Sequence, residues 1–302
     1  MTTSPHSPAD LLIRPMQDAD LPAVVALRNL GFHDLDRRTL PRHLDVPALP
    51  DDANSALWVD RTRFVLGTDP GGCWVAETPT GVVGFATSTV RELTWLLHTY
   101  VVHPEVQGHG IGRALLDAAA SHGSGCLRAM LSASADPAAV RRYLLAGFEL
   151  HPQMTLTGVV RRDAIPVITK VREGTPGDRE LMDSLDRRRR DAAHGVDHEW
   201  LLAHHPLLVS DTTTGAGYAY LHPAGGVSLL AADNRRTAER LLWAALAAGA
   251  PGVSISQDHL TGANQWALRI ATEAGLAVHT SGYLAVRGMR PPVPYVHHGT
   301  FG

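Results

Sequence analysis

The segment Tyr100-Val101-Val102-His103-Pro104-Glu105-Val106-Gln107-Gly108-His109-Gly110-Ile111-Gly112-Arg113-Ala114-Leu115-Leu116 runs an apolar stretch of strand length into a glycine-rich turn and then into a helical pattern. Glycines let backbone N–H groups come close to a ligand, and a helix N-terminus adds unpaired donors and a partial positive charge. Such a turn binds an anion, most readily a phosphate. A nucleotide P-loop would end in Gly-Lys-Ser/Thr, whereas Gly112 is followed by Arg113 and Ala114. A dinucleotide fingerprint would place a third glycine where Arg113 stands. The pyrophosphate of an acyl-coenzyme A is the reading that remains.

Outward from that segment, strand and helix patterns alternate. Upstream lie three strand-like runs at 73–77, 82–91 and 94–103, the first two joined across Pro79-Thr80-Gly81. Before them, residues 11–16 have strand length. Asp18 and Asp20 then stand at a helix start ahead of Leu21, Val24, Val25 and Leu27. Residues 33–50, rich in Pro, Asp and His, read as loop, and a second helix is expected over 52–66. Downstream, a helix over 110–121 carries Ile111, Leu115 and Leu116 on one face, and 127–134 reads as a strand. Asp136-Pro137 is an N-cap followed by proline at the first helical position, opening a helix that closes at Gly147 before a strand over 149–160.

Residues 161–166, RRDAIP, look like a linker, after which the pattern restarts. A strand is expected over 168–172, Thr175 and Asp178 open a helix, and strands recur near 253–256 and 277–286. The two halves also share local text. Ala146-Gly147-Phe148-Glu149-Leu150-His151 is echoed 128 residues later by Ala274-Gly275-Leu276-Ala277-Val278-His279, and Arg14 to Asp20 is matched by Arg172 to Asp178. Two matches at corresponding places indicate a duplicated fold, with domains expected over 11–161 and 167–290.

Composition narrows the function. Over 302 residues, 27 Lys plus Arg against 30 Asp plus Glu give a net charge of −3, which lacks the basic footprint of a nucleic-acid binder. Two cysteines, Cys73 and Cys126, build neither a disulfide framework nor a four-thiolate zinc site. A reduced, cytoplasmic setting is expected. Residues 1–10 show no positively charged region or apolar core of a signal peptide, and the most apolar stretch, 241–250, is half the length of a membrane span. Arg187 to Arg190 reads as a solvated helix face, and the histidines at 194, 198, 204 and 205 match no zinc spacing, so no metal is expected.

The run Val102-x-Pro104-x-x-Gln107-x-x-Gly110-x-Gly112 resembles motif A of the GCN5-related N-acetyltransferases, Q/R-x-x-G-x-G/A. The resemblance implies a mixed α/β fold, here two tandem acyl-CoA N-acyltransferase folds, with acetyl-CoA as co-substrate and an amine of a small molecule or peptide as acceptor. It implies that the strand before the loop splays from its neighbour, with Tyr100, Val101 and Val102 along the pantetheine arm. Gln107, Gly108, His109, Gly110, Ile111, Gly112 and Arg113 would cradle the pyrophosphate. Tyr143-Leu144-Leu145-Ala146-Gly147-Phe148 is similar to the family's Y-x-x-x-G-F stretch, which implies Tyr143 as the acid that protonates the departing thiolate.

The general base has two candidates. His98 lies four residues before Val102, on the same strand face. Residues 97–103 are similar to the matching strand of arylalkylamine N-acetyltransferases, where a histidine at this place helps remove the amine proton through water. Glu92, at the start of that hairpin, is the rival. A non-catalytic acyl-CoA sensor or scaffold is the alternative, and a homodimer is admitted. In the second half the glycines are missing. Asp233, Asn234, Arg236 and Ala238, or at another offset Arg235, Ala238 and Arg240, stand over the loop positions, and Ala271 replaces Tyr143. One coenzyme A per chain is the expectation.

Overall fold

The structure, a computed structural model, describes residues 11–40 and 46–302; the expectations for residues 1–10 and 41–45 lie outside the described residues. Contacts divide the chain into two compact units, Met1–Val90 with Trp95–Cys126, and Arg91–Thr94 with Leu127–Gly302.

In the first unit, β1 (Leu12–Pro15), β2 (Cys73–Thr78), β3 (Gly81–Arg91) and β4 (Thr94–Val102) lie side by side in that order. Helices α1 (Leu21–Thr39), α2 (Asp52–Thr68) and α3 (Ile111–Ser121) complete it. The loop expected over 33–50 is shorter than the sequence suggested. α1 continues to Thr39, carried by an Arg38–Asp34 pair at 2.8 Å one helical turn apart. It stops where Leu40, the residue before Pro41, turns extended. α3 buries Ile111, Leu115, Leu116 and Ala119, the stripe its spacing predicts. It sits close to β3: a Cβ on Gly84 would come within 2.8 Å of Leu115 Cδ1. Each such buried aliphatic contributes about 1.5–3 kcal/mol. Cys73 is fully buried, and that burial pushes its thiol up to about 12, as suits a small core hydrophobe.

The second unit holds β5 (Arg128–Ala133), α4 (Pro137–Leu145), β6 (Glu149–Val159), β7 (Arg172–Glu173), α5 (Arg179–Arg190) and α6 (Asp197–His204). It continues through β8 (Leu207–Thr212), β9 (Gly215–Leu221), β10 (Val227–Ala232), α7 (Arg235–Ala248), β11 (Ser254–Thr261), α8 (Gln265–Glu273), β12 (Ala277–Arg287) and β13 (Tyr295–Val296). The order β1-α1-α2-β2-β3-β4-α3-β5-α4-β6 recurs as β7-α5-α6-β8-β9-β10-α7-β11-α8-β12. Local geometry recurs with it. Arg14 Nη1 donates to Asp20 Oδ2 at 2.8 Å and Arg172 Nη1 to Asp178 Oδ2 at 2.9 Å, and in both places a 3-10 turn follows with a capping box. Gly147 and Gly275 both take left-handed backbone (φ 83° and 90°) after α4 and α8. The next residue then donates back into the helix, Phe148 N to Tyr143 O and Leu276 N to Ala271 O, both at 3.0 Å.

The boundary expected at 161–167 is not where the contacts divide. β12 lies between β5 and β6, and β6 pairs with β11 on its other side, giving the order β5-β12-β6-β11. The closing strand of each repeat is therefore flanked by the fifth strand of the other repeat. The antiparallel β6–β12 ladder runs from Ala277 opposite Thr157 to Val286 opposite Glu149, which ties residues 149–159 to the later half of the chain. A second sheet, β13-β10-β9-β8-β7, packs α7 through Leu241, Leu242 and Leu246.

Candidate active site

β4 presents its side chains alternately, with Leu97, Thr99 and Val101 buried and His98, Tyr100 and Val102 half-buried. The buried set anchors the strand: a Cβ on Gly31 of α1 would reach Val101 Cγ1 at 2.6 Å, so Val101 offers only its backbone to a ligand. The other set faces α3. Tyr100 Oη fills the space beside Gly112, where any Cβ would collide with it, and Val102 Cγ2 is 3.6 Å from the same point.

After β4 the chain makes a 3-10 turn over Pro104–Val106, capped by His103, whose ring accepts from Glu105 N at 3.3 Å. Gln107 turns its side chain back, donating from Nε2 to Val102 O at 3.0 Å, so its amide fastens the loop to the end of β4. Gly108 and Gly110 both adopt positive φ, 87° and 85°, and a Cβ on either would meet nothing within 4 Å. Gly110 is the N-cap of α3, and no side chain caps that helix. The first turn of α3 thus directs N–H groups into open space beside exposed Gly108, His109 and Arg113. These residues fit the pyrophosphate of a coenzyme A. Ile111 is buried and contributes backbone alone.

His98 Nε2 lies 2.9 Å from the hydroxyl of Thr89 on β3, which holds the ring. Glu92 sits at φ 52° in the β3–β4 turn, and both its oxygens are engaged: Arg187 Nε donates at 2.7 Å and Ala193 N at 3.3 Å. Both Glu92 oxygens thus accept from the protein, and His98 and Glu92 are the two candidate bases at this hairpin. Tyr143 is buried in α4, its ring edge-on to Phe148 with centroids 6.2 Å apart. Arg287 Nη1 donates to Ala146 O at 3.0 Å and its guanidinium lies 5.1 Å from the Phe148 ring, securing the end of that helix. The loop and His98 belong to the first unit, Glu92 and Tyr143 to the second.

The arginine run is a solvated face only in part: Arg187 and Arg188 are exposed, but its end is not. Arg190 is fully buried, donating to the carbonyls of Ala192, Ala193 and Phe301, while Arg188 pairs with Asp233 and Arg189 donates to Val293 O. His194 and His198 are also fully buried and converge on Asp186, a grouping that sequence spacing did not show.

The second repeat departs from the first at the loop itself. Residues 103–110 separate β4 from α3, whereas only Asp233 and Asn234 separate β10 from α7. The buried positions of α7, Leu241, Leu242 and Ala245, correspond to Leu115, Leu116 and Ala119 of α3, which supports the alignment that places Arg236 over Gly110. Asn234 caps α7, its Oδ1 accepting from Thr237 N at 3.0 Å, so the helix end is closed by its own chain.

Among the described residues, no helix is long and apolar enough to cross a membrane. Residues 69–150 match the family model of the acetyltransferase (GNAT) domain. Among solved structures, the chain is similar to a candidate acetyltransferase from Pyrococcus horikoshii, with 18% identity, TM-score 0.71 and coverage of 100% of this chain and 98% of that one. It is also similar to a GCN5-related N-acetyltransferase from Kribbella flavida (17% identity, TM-score 0.59, 92% of this chain and 72% of that one). A third, from Sphaerobacter thermophilus, gives 16% identity and TM-score 0.56, over 92% of this chain and 95% of that one. No curated protein matches the sequence. Residues 69–150 thus resemble a GNAT acetyltransferase domain, and the chain over its whole length shares the fold of these GCN5-related N-acetyltransferase structures.

Proposed function

We propose that the chain transfers an acetyl group from acetyl-CoA to a primary amine by direct attack. The observation that carries this reading is the bare N-terminus of α3 behind Gly108 and Gly110, an anion site that the protein leaves open. The pyrophosphate takes the loop amides, and the pantetheine arm lies along the backbone of Tyr100 to Val102. The amine gives its proton through water to His98, whose ring Thr89 holds. The nitrogen then attacks the thioester carbonyl, the C–S bond breaks, and Tyr143 supplies the proton that the thiolate takes up. Glu92, held by Arg187, serves the hairpin rather than the reaction.

The test is thiol release from acetyl-CoA against a panel of primary amines and peptide N-termini, run beside a coenzyme A titration. Turnover with at least one amine supports the transferase. Tight binding with no turnover on any amine would turn the reading to a sensor or scaffold.

A further inference from the structure

α5 places Asp183 and Asp186 one turn apart. The chain then reverses at Asp191 (φ 63°), and the following loop and the first turn of α6 bring His194 and His198 back onto them. Asp186, His194 and His198 are fully buried, and one ligand atom from each lies within 4.8 Å of the other two. His194 Nδ1 is 2.7 Å from Asp186 Oδ2, and His198 Nε2 is 3.3 Å from the same oxygen and 3.4 Å from Asp183 Oδ1. Despite those distances, His198 Nε2 is oriented to hydrogen-bond neither carboxylate.

The outer nitrogens are held in turn: His194 Nε2 lies 3.3 Å from Gly302 O, and His198 Nδ1 lies 3.1 Å from Tyr220 Oη. That leaves His194 Nδ1 and His198 Nε2 facing the carboxylates of α5 in the interior. A divalent cation can take the place of the protons that otherwise link such rings to carboxylates. The outer contacts match the shell that orients metal-binding histidines, and Tyr218 Oη adds a hydrogen bond to Asp186 Oδ1 at 2.6 Å.

We propose that Asp183, Asp186, His194 and His198 form a closed structural site for one divalent cation, zinc by its donors. Two imidazoles and two carboxylates suit zinc, and two negative charges neutralise it. Zinc bonds of about 2.0–2.1 Å set tetrahedral ligands about 3.3 Å apart. The two His198 separations already match that spacing, while the His194–Asp186 pair opens by about half an ångström. Four protein ligands leave no position for a substrate. The ion fastens α5, the 191–196 loop and α6 together and takes no part in acetyl transfer.

The full chain, stripped with chelator and dialysed, is titrated with zinc alone and with cobalt alone. One ion per chain, visible bands of tetrahedral cobalt and a melting temperature that rises with zinc are expected. His198→Gln should lower the affinity at least tenfold. A folded His198→Gln that binds as the parent does overturns the proposal, as does a parent chain that takes up no ion at millimolar zinc. Anomalous diffraction at the zinc edge from crystals of the parent chain decides the matter even if the variant fails to fold. A peak between His194 and His198 supports the site, and a peak elsewhere, or none, refutes it.

Discussion

Gly110→Glu separates the folding role of the loop from its binding role. Gly110 caps α3 at φ 85° and ψ −10°, where an L-residue costs about 1–2 kcal/mol. A Cβ there meets no heavy atom within 4 Å, so backbone strain is the main penalty. At about 2–4 °C per kcal/mol, the melting temperature should drop by about 2–8 °C and the chain should remain folded. Binding suffers far more. The new carboxylate stands at the helix N-terminus, where it takes the donors meant for the pyrophosphate and repels it. Two unit charges about 4 Å apart near a protein surface cost about 4 kcal/mol, and at about 1.4 kcal/mol per decade even half of that is more than tenfold. With the lost hydrogen bonds added, coenzyme A affinity measured by calorimetry should fall at least about 100-fold. Gly110→Ala, which adds strain and a methyl but no charge, should lose about tenfold or less. A folded Gly110→Glu with unchanged affinity would refute the assignment of the loop.

Gly112→Ala drives a methyl into the Tyr100 hydroxyl and should destabilise the chain by about 1–3 kcal/mol in denaturant unfolding. Adding Tyr100→Phe leaves Cζ as the nearest atom, at 3.3 Å, and should recover about 1 kcal/mol or more; strictly additive effects would disprove the contact. Tyr143→Phe should lower kcat by about 10²–10⁴ with coenzyme A affinity little changed, and a fully active variant would leave Tyr143 a packing residue. Calorimetry with acetyl-CoA should count one site per chain, since the two-residue β10–α7 connection and the Asn234 cap leave no cradle in the second repeat. Two equivalent sites would contradict that comparison.

Much of this molecule could be read locally. The limits of β2, β3, β4, α3, α4 and β6 fall within a residue or two of where period, capping and turn chemistry put them. Asp136-Pro137 at the start of α4 and Gly147 after its end act through neighbours a few residues away, so the sequence carries them in full. The loop was equally plain, because Gly108 and Gly110 are needed for their own backbone angles whatever else the chain does. The repeat also announced itself, since Arg14–Asp20 and Arg172–Asp178 are short-range devices with Arg and Asp at the same spacing.

Long-range pairing obeys no local period. Nothing in the text of residues 277–287 says that they slot between β5 and β6; that follows from which strand edges are open once the rest has folded. Nothing near Glu92 in the sequence says that Arg187, 95 residues on, pairs with it. Arg190 looked solvated because charge runs usually are, yet three carbonyls converge on it in the interior and replace its water. His194 and His198 matched no metal signature because their partners, Asp183 and Asp186, lie on another helix and the tyrosines that orient the group come from β9. Local conformation is set by each residue and its neighbours, whereas a buried polar cluster exists only where packing excludes water from groups far apart in the chain.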